Sequence, residues 1–218
     1  MDRNKLRRLD LVFVLAAFAV SAMLYRRLPD PVPVHWDWNG EPNGFMAKPL
    51  GAFALPIVMA VYFVLAGLRR LRRAGDPSGR VTRVLHTAIM AFLFFATVLG
   101  NLAAIGAPVS IGRSVQAGLG LLLVVVGNYL GKLRRNFVLG IRTPWTLASD
   151  EVWLRTHRFG GRVWVIGGMV LFALALAGMG SWVTGACMAV LVGAPVVYSW
   201  LVSSRLGDDE DDGDDPVE

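Results

Sequence analysis

One cysteine and three histidines are all that 218 residues provide of the side chains that most readily hold soft metals. Cys187 stands alone, so a disulfide within the chain, a cysteine metal cluster and a thioredoxin-like pair are all excluded. Charge is scarce as well: 17% of residues are charged and 55% are hydrophobic, which is too apolar for an ordinary soluble domain. Signatures of catalysis are missing too. The sequence has no His-Glu-x-x-His pair, no phosphate loop ending in Gly-Lys-Ser/Thr, no Gly-x-Ser-x-Gly elbow and no paired carboxylates inside an apolar run. An enzyme is not expected, nor is a cofactor or a resident metal.

The apolar residues are gathered into runs long enough for a bilayer. A hydrocarbon core of about 30 Å needs roughly 20 residues of helix. Six stretches approach that length: Leu9 to Tyr25, Leu50 to Leu68, Val84 to Ile105, Ser114 to Leu130, Val163 to Met179 and Trp182 to Val202. Pro56 and Pro195 fall inside two of them, as membrane helices tolerate. Gly180 and Ser181 leave room for only a tight reversal, so the last two spans form a hairpin. The fold class expected is all-α, a polytopic membrane protein of about six helices.

Lys and Arg in alternate loops set the orientation. Eighteen lie in the N-terminal arm, the second and fourth loops and at Arg205, against four at Arg26, Arg27, Lys48 and Arg113. Positive charge stays on the cytoplasmic side, so both termini are expected there. An odd number of spans would split the basic loops. The first run resembles a signal peptide, but Arg26, Arg27 and a Pro-rich segment follow it without a small-x-small cleavage pattern, so it is read as a retained helix.

Net charge is +6, yet residues 208–218 carry eight acidic side chains, a composition expected to form a disordered cytoplasmic tail. The remaining positive excess suits anionic lipid headgroups. No nucleic-acid-binding fold surrounds these arginines, so direct nucleic-acid binding is not expected. The organisation predicted is a three-helix region over 1–106, a second over 107–207, and the tail over 208–218.

Two loops hold most of the polar information. In the outer one, Pro29, Pro31 and Pro33 impose extended backbone, and Asn39-Gly40 and Asn43-Gly44 are turn dipeptides, which predicts an extended arm followed by reversals. Trp36, Trp38 and Phe45 suit the headgroup region. His35, Asp37 and Glu41 could ligate a metal, but their spacing matches no specific site. In the inner loop, Pro144 disfavours helix at Thr143, and Ser149 followed by Asp150 and Glu151 reads as a helix start. That predicts a short interfacial helix from Asp150 to Phe159, with Gly160-Gly161 turning the chain into the fifth span. Arg142 beside Thr143 and Trp145 could grip a phosphate, a carboxylate or a backbone carbonyl, or could instead tie the loop to helix ends and lipid. His157, without a carboxylate or cysteine partner, reads as a packing or hydrogen-bonding residue. Asn101 and Asn128 lie in spans and need partners on other helices; Gly127 and Gly131 allow a close helix approach.

The segment from Gly127 to Gly161 resembles the SdpI family, bacterial membrane immunity proteins against a secreted sporulation-delaying peptide toxin. Asn136, Gly140-Ile141-Arg142-Thr143-Pro144-Trp145-Thr146, Trp153, Thr156-His157-Arg158 and Gly160-Gly161 carry the resemblance. The outer loop, through Pro33, His35, Trp36, Asn39-Gly40 and Lys48, is similar to a domain of unknown function that often precedes the SdpI region. The resemblance implies immunity to a peptide toxin, and signalling through capture of a cytoplasmic repressor. It also implies that Asn128, Asn136, Arg142, Thr143, Pro144, Trp145, Thr146, Trp153, Thr156 and His157, with His35, Trp36, Asp37 and Asn39 outside, are the candidate binding residues. A transporter or channel built around Asn101, Asn128 or Gln116 is the alternative, as is a regulator that acts without toxin.

Reporter fusions check the orientation. A cytoplasm-active reporter after residue 78 or residue 206 should be active, and a periplasm-active one should work only after residue 40 or residue 110. The reverse pattern would overturn the charge argument.

Overall fold

The computed structural model describes residues 3–37, 39–72, 79–137, 139–179 and 181–211, with side chains described for 5–37, 39–68, 79–137, 139–179 and 182–206. Trp38, Gly180 and residues 212–218 of the acidic segment lie outside the described residues. Among the described residues six helices are long and apolar enough to cross a membrane, in agreement with the pattern of runs. They are α1 (Arg3–Leu24), α2 (Lys48–Arg72), α3 (Gly79–Ala104), α4 (Ile111–Leu130), α6 (Asp150–Leu176) and α7 (Ser181–Asp211), with a single turn, α5 (Pro144–Ala148), before α6. Between α1 and α2 the chain forms an antiparallel hairpin of β1 (Val32–Trp36) and β2 (Pro42–Met46). The helices thus have a hairpin end and, opposite it, a loop end holding residues 131–149.

The extended arm expected between the first two spans is this hairpin. Proline cannot donate to a sheet ladder, but a two-stranded ribbon leaves the outer edge of each strand unpaired, so Pro33 and Pro42 are accommodated. Gly44 lies opposite His35, where a Cβ would come within 2.8 Å of the His35 Cβ, and the ribbon sits on Gly51 of α2 through Val32. Trp36, expected to suit the headgroup region, lies near the hairpin end of α3. Its ring lies 3.8 Å from where a Cβ at Gly100 would be, so it packs over α3.

Helices α1, α2 and α3 form one unit, around Val14, Ala17, Met59 and Met90. Polar contacts hold it at two levels. Towards the hairpin end Asn101 Nδ2 donates to Ser21 Oγ at 3.1 Å. Towards the loop end His86 Nε2 lies 3.4 Å from the fully buried Asp10 carboxylate, with the Tyr62 ring centred 4.5 Å from the imidazole. Burial with a carboxylate from another helix makes His86 a tie between α1 and α3.

Helices α4, α6 and α7 form the second unit, and α3 joins it through α4. Helices α4 and α6 run antiparallel and approach at two glycine pairs. A Cβ at Gly120 would lie 2.7 Å from the Gly168 carbonyl oxygen, and one at Gly127 would lie 2.7 Å from that of Gly161. Small residues let membrane helices come together, where dispersion contacts replace a hydrophobic driving force between segments. This packing corrects the predicted interfacial helix. Gly160 and Gly161 do not turn the chain; both are buried inside α6, which runs unbroken from Asp150. Their small size serves the helix interface, because Gly161 faces α4 while Gly160 faces Ile141 and Pro195.

Two further corrections follow from helical geometry. Asn128 is exposed on α4, not packed on a neighbour, since Gly127 occupies the position facing α6 and the next residue is rotated about 100° away. Helix α7 continues to Asp211, so the first four residues of the acidic segment are helical, no proline intervening after Pro195.

Substitution tests the glycine pairs. Gly127→Leu or Gly168→Leu should lower the folded fraction in mild detergent, at a cost of about 1–3 kcal/mol, as is typical of overpacking. Gly67→Leu, with nothing within 4 Å of its Cβ position, should melt with the parent. Equal melting of all three would refute the close approach.

Candidate functional site

The inner loop is built by side chains that satisfy its own backbone. Pro144 holds Thr143 extended (φ −98°, ψ 161°), and Thr143 caps α5: its Oγ1 accepts from Thr146 N, while Thr146 Oγ1 accepts from Thr143 N at 2.8 Å. The Thr146 hydroxyl reaches the Ile141 carbonyl at 2.9 Å. Ser149 starts α6 by accepting from Val152 N, with Asp150 and Glu151 in the first turn, as expected.

His157 lies fully buried at the centre of the loop. The Ile141 amide donates to its Nε2 at 3.0 Å, so that nitrogen accepts; its Nδ1 lies 2.8 Å from the Trp153 carbonyl oxygen and therefore carries the proton. The ring is held as one neutral tautomer and stacks on Trp153 with centroids 3.9 Å apart. Gly140 adopts φ +115°, and a Cβ there would collide with His157 Nε2, so both conformation and space require glycine.

Each indole finds a carbonyl or hydroxyl. Trp153 Nε1 donates to the Leu133 carbonyl at 2.9 Å, and Trp145 Nε1 donates to Ser199 Oγ at 2.7 Å, whose own proton goes to the Val196 carbonyl. The loop is thereby tied to α6 and α7. Asn136 closes a turn, accepting from Leu139 N and donating to the Arg134 carbonyl, each at 2.8 Å. Arg142 is exposed and donates to the Phe137 carbonyl at 2.8 Å. Thr156 is buried, and its hydroxyl has no hydrogen-bond partner among the described residues.

Most candidate residues of the inner loop therefore meet one another or the loop's backbone, with Arg142 facing outward and Asn128 apart from the rest. Arg135, one of the cations of the fourth loop, does more than add charge. Its Nη1 donates to the Leu147 and Ala148 carbonyls, at 2.6 and 3.0 Å, and its Nε lies 2.6 Å from Asp150, so it joins the end of α5 to the start of α6. A cation near the final carbonyls of a helix was the available signal.

At the hairpin end Asp37 Oδ1 accepts from the amides of Asn39 and Glu41, at 2.8 and 2.9 Å, while the His35 imidazole meets Asn43 Oδ1. These contacts form a turn. No group of three metal-ligating side chains exists among the described residues. Beneath Trp36 opens a mostly apolar cleft of about 570 Å³, between α2, α3 and α4. Pro56, Thr97, Asn101 and Gln116 line it. Thr97 donates to the Leu93 carbonyl, and Gln116 Nε2 donates to that of Leu171 at 3.5 Å.

Comparison with known proteins supplies the family. The chain is 30% identical over 200 residues to Immunity protein SdpI of Bacillus subtilis (strain 168), covering 89% of this chain and 92% of that protein. The chain belongs to the SdpI family. The SdpI/YfhL protein family description matches residues 132–199, which hold the inner loop, α5, α6 and most of α7, and a domain of unknown function (DUF1648) matches residues 12–60, which hold the hairpin. The Uncharacterized membrane protein YbgB of the same organism is 37% identical over 49 residues, 22% of this chain and 54% of that protein. No solved structure matches. As an SdpI-family member with six spanning helices, the chain is a multi-pass bacterial membrane protein.

A double-mutant cycle tests the tie from loop to α7. Trp145→Phe and Ser199→Ala should each destabilise the protein, with a coupling of about 0.5–1.5 kcal/mol, the net worth of one hydrogen bond. Additive losses in thermal melts would show that the bond contributes nothing.

Proposed function

We propose that this protein confers immunity by binding a membrane-active peptide within the bilayer and neutralising it. The observation that carries this is the match to Immunity protein SdpI along 92% of that protein's length, which takes in both the hairpin and the inner loop. The cleft supports a binding role over passage of a solute. Its lining ends at Val58 on α2 and Ala96 on α3; further in, Met59 and Met90 fill the first unit, and Leu85, Leu130, Leu133 and Trp153 fill the junction of α3, α4 and α6 at the loop end. A recess closed towards the loop end can hold a ligand without conducting it.

Survival of toxin-sensitive bacteria is the test. Cells carrying the chain should outlive vector controls under a sporulation-delaying-type peptide, and Gly127→Leu at equal membrane level should lose most of the advantage. Killing equal to the vector control would reject the proposal.

A further inference from the structure

Buried polar groups of a membrane cleft reveal which ligand groups can meet them. Asn101 is 7% exposed and lines the cleft. One of its contacts is a backbone carbonyl, that of Thr97 at 3.0 Å, so the atom there must be the amide nitrogen; the other Nδ2 proton goes to Ser21 Oγ. Both protons are thus engaged. The carbonyl oxygen Oδ1 takes no hydrogen bond among the described residues. Gln116, 2% exposed, donates to Leu171 and likewise keeps an oxygen without a hydrogen bond among the described residues.

A third acceptor comes from the backbone. Pro56 lacks the N–H that the Ala52 carbonyl would take in a regular helix, and both residues line the cleft. The other spanning proline makes the contrast. Pro195 frees the Leu191 carbonyl in the same way, and there Trp164 Nε1 donates to it at 2.8 Å. No side-chain donor among the described residues reaches Ala52.

The cleft therefore combines apolar walls with acceptors from Asn101, Gln116 and Ala52. The complementary ligand is apolar and brings donors. A helix N-terminus is such a group: its first four N–H groups have no partner in the helix and carry the positive end of the dipole, and in hydrocarbon they must be satisfied. A helix C-terminus offers carbonyls and would meet acceptor with acceptor.

We infer that the cleft beneath the hairpin receives the N-terminal turn of an apolar peptide helix, its N–H groups on Asn101 Oδ1, Gln116 Oε1 and the Ala52 carbonyl. The choice of a peptide as occupant rests on the proposed immunity function. Asn101 lies three residues from the end of α3, so the turn sits about 5 Å inside the hairpin end. The peptide body then lies along Leu55 and Val58 of α2, which are exposed beside the cleft.

Photo-cross-linking tests this on the full chain in phosphatidylethanolamine/phosphatidylglycerol vesicles. The probe is a Leu/Ala helix of about twenty residues with a free amino terminus and a lysine-tagged C-terminus. Benzoylphenylalanine replaces Leu55, within the cleft, or Val61, exposed on α2 outside it. Adducts should form at position 55 in excess over 61 and map to the first turn of the peptide. Asn101→Leu should lower them about tenfold, the loss of one buried hydrogen bond. Ser21→Ala breaks the same tie to α1 but keeps Oδ1, and should cross-link as the parent does. Equal loss in both variants would assign the effect to packing and overturn the inference. So would equal labelling at 55 and 61, adducts on the last turn of the peptide, or adducts with lipid or a second copy of the chain in its place. Because the probe is not a toxin, the two readings fail separately: protection without cross-linking removes only the cleft, and cross-linking without protection removes only immunity.

Discussion

The close approach of α4 and α6 at Gly120–Gly168 and Gly127–Gly161 is the contact on which the rest of the second unit depends. In each helix the two glycines are seven residues apart, the spacing that keeps one seam facing an antiparallel partner. The seam holds α6 upright from its first turn, which places Trp153 and His157 against the end of α4. Only then can Trp153 reach the Leu133 carbonyl and His157 accept from Ile141. The loop's conformation is thus a consequence of helix packing, and its indoles, hydroxyls and imidazole serve first to satisfy backbone groups at that end of the helices.

The spans were legible because hydrocarbon demands long apolar runs, and nothing else in a sequence looks like them. Thr143, Pro144 and Ser149 were legible as well, since capping acts within a few residues of sequence. Gly160-Gly161 was misread for the opposite reason. Two glycines in a row are locally a place to turn, and only a partner helix, remote in sequence, makes them a packing surface. Asn128 shows the same limit: its neighbour Gly127 lies on the interface, so the amide is carried away from it. Local rules misjudge a residue whenever its environment is set across the bundle.

Polar residues within the first unit divide along similar lines. Asn101 was identifiable as an amide in need of a partner, but Ser21 could not be named as that partner without the crossing of α1 and α3. Asp10 sits at the edge of its apolar run beside Arg7 and Arg8, where a charge is ordinary. Burial against His86 gives it a different meaning, because a carboxylate removed from water requires compensation that only another helix brings.

The two spanning prolines bring these arguments together. Each frees a carbonyl one turn earlier, a cost that a membrane helix meets with a donor from elsewhere. In α7 the donor belongs to the chain: Trp164, on the helix packed against it. In α2 the freed carbonyl belongs to Ala52, which lines a cleft where Asn101 has already committed both amide protons, and no side-chain donor among the described residues reaches it. The same backbone defect is closed where two helices meet within the second unit and left open where α2 stands away from α4. That asymmetry is what distinguishes a packing interface from a place prepared for a ligand.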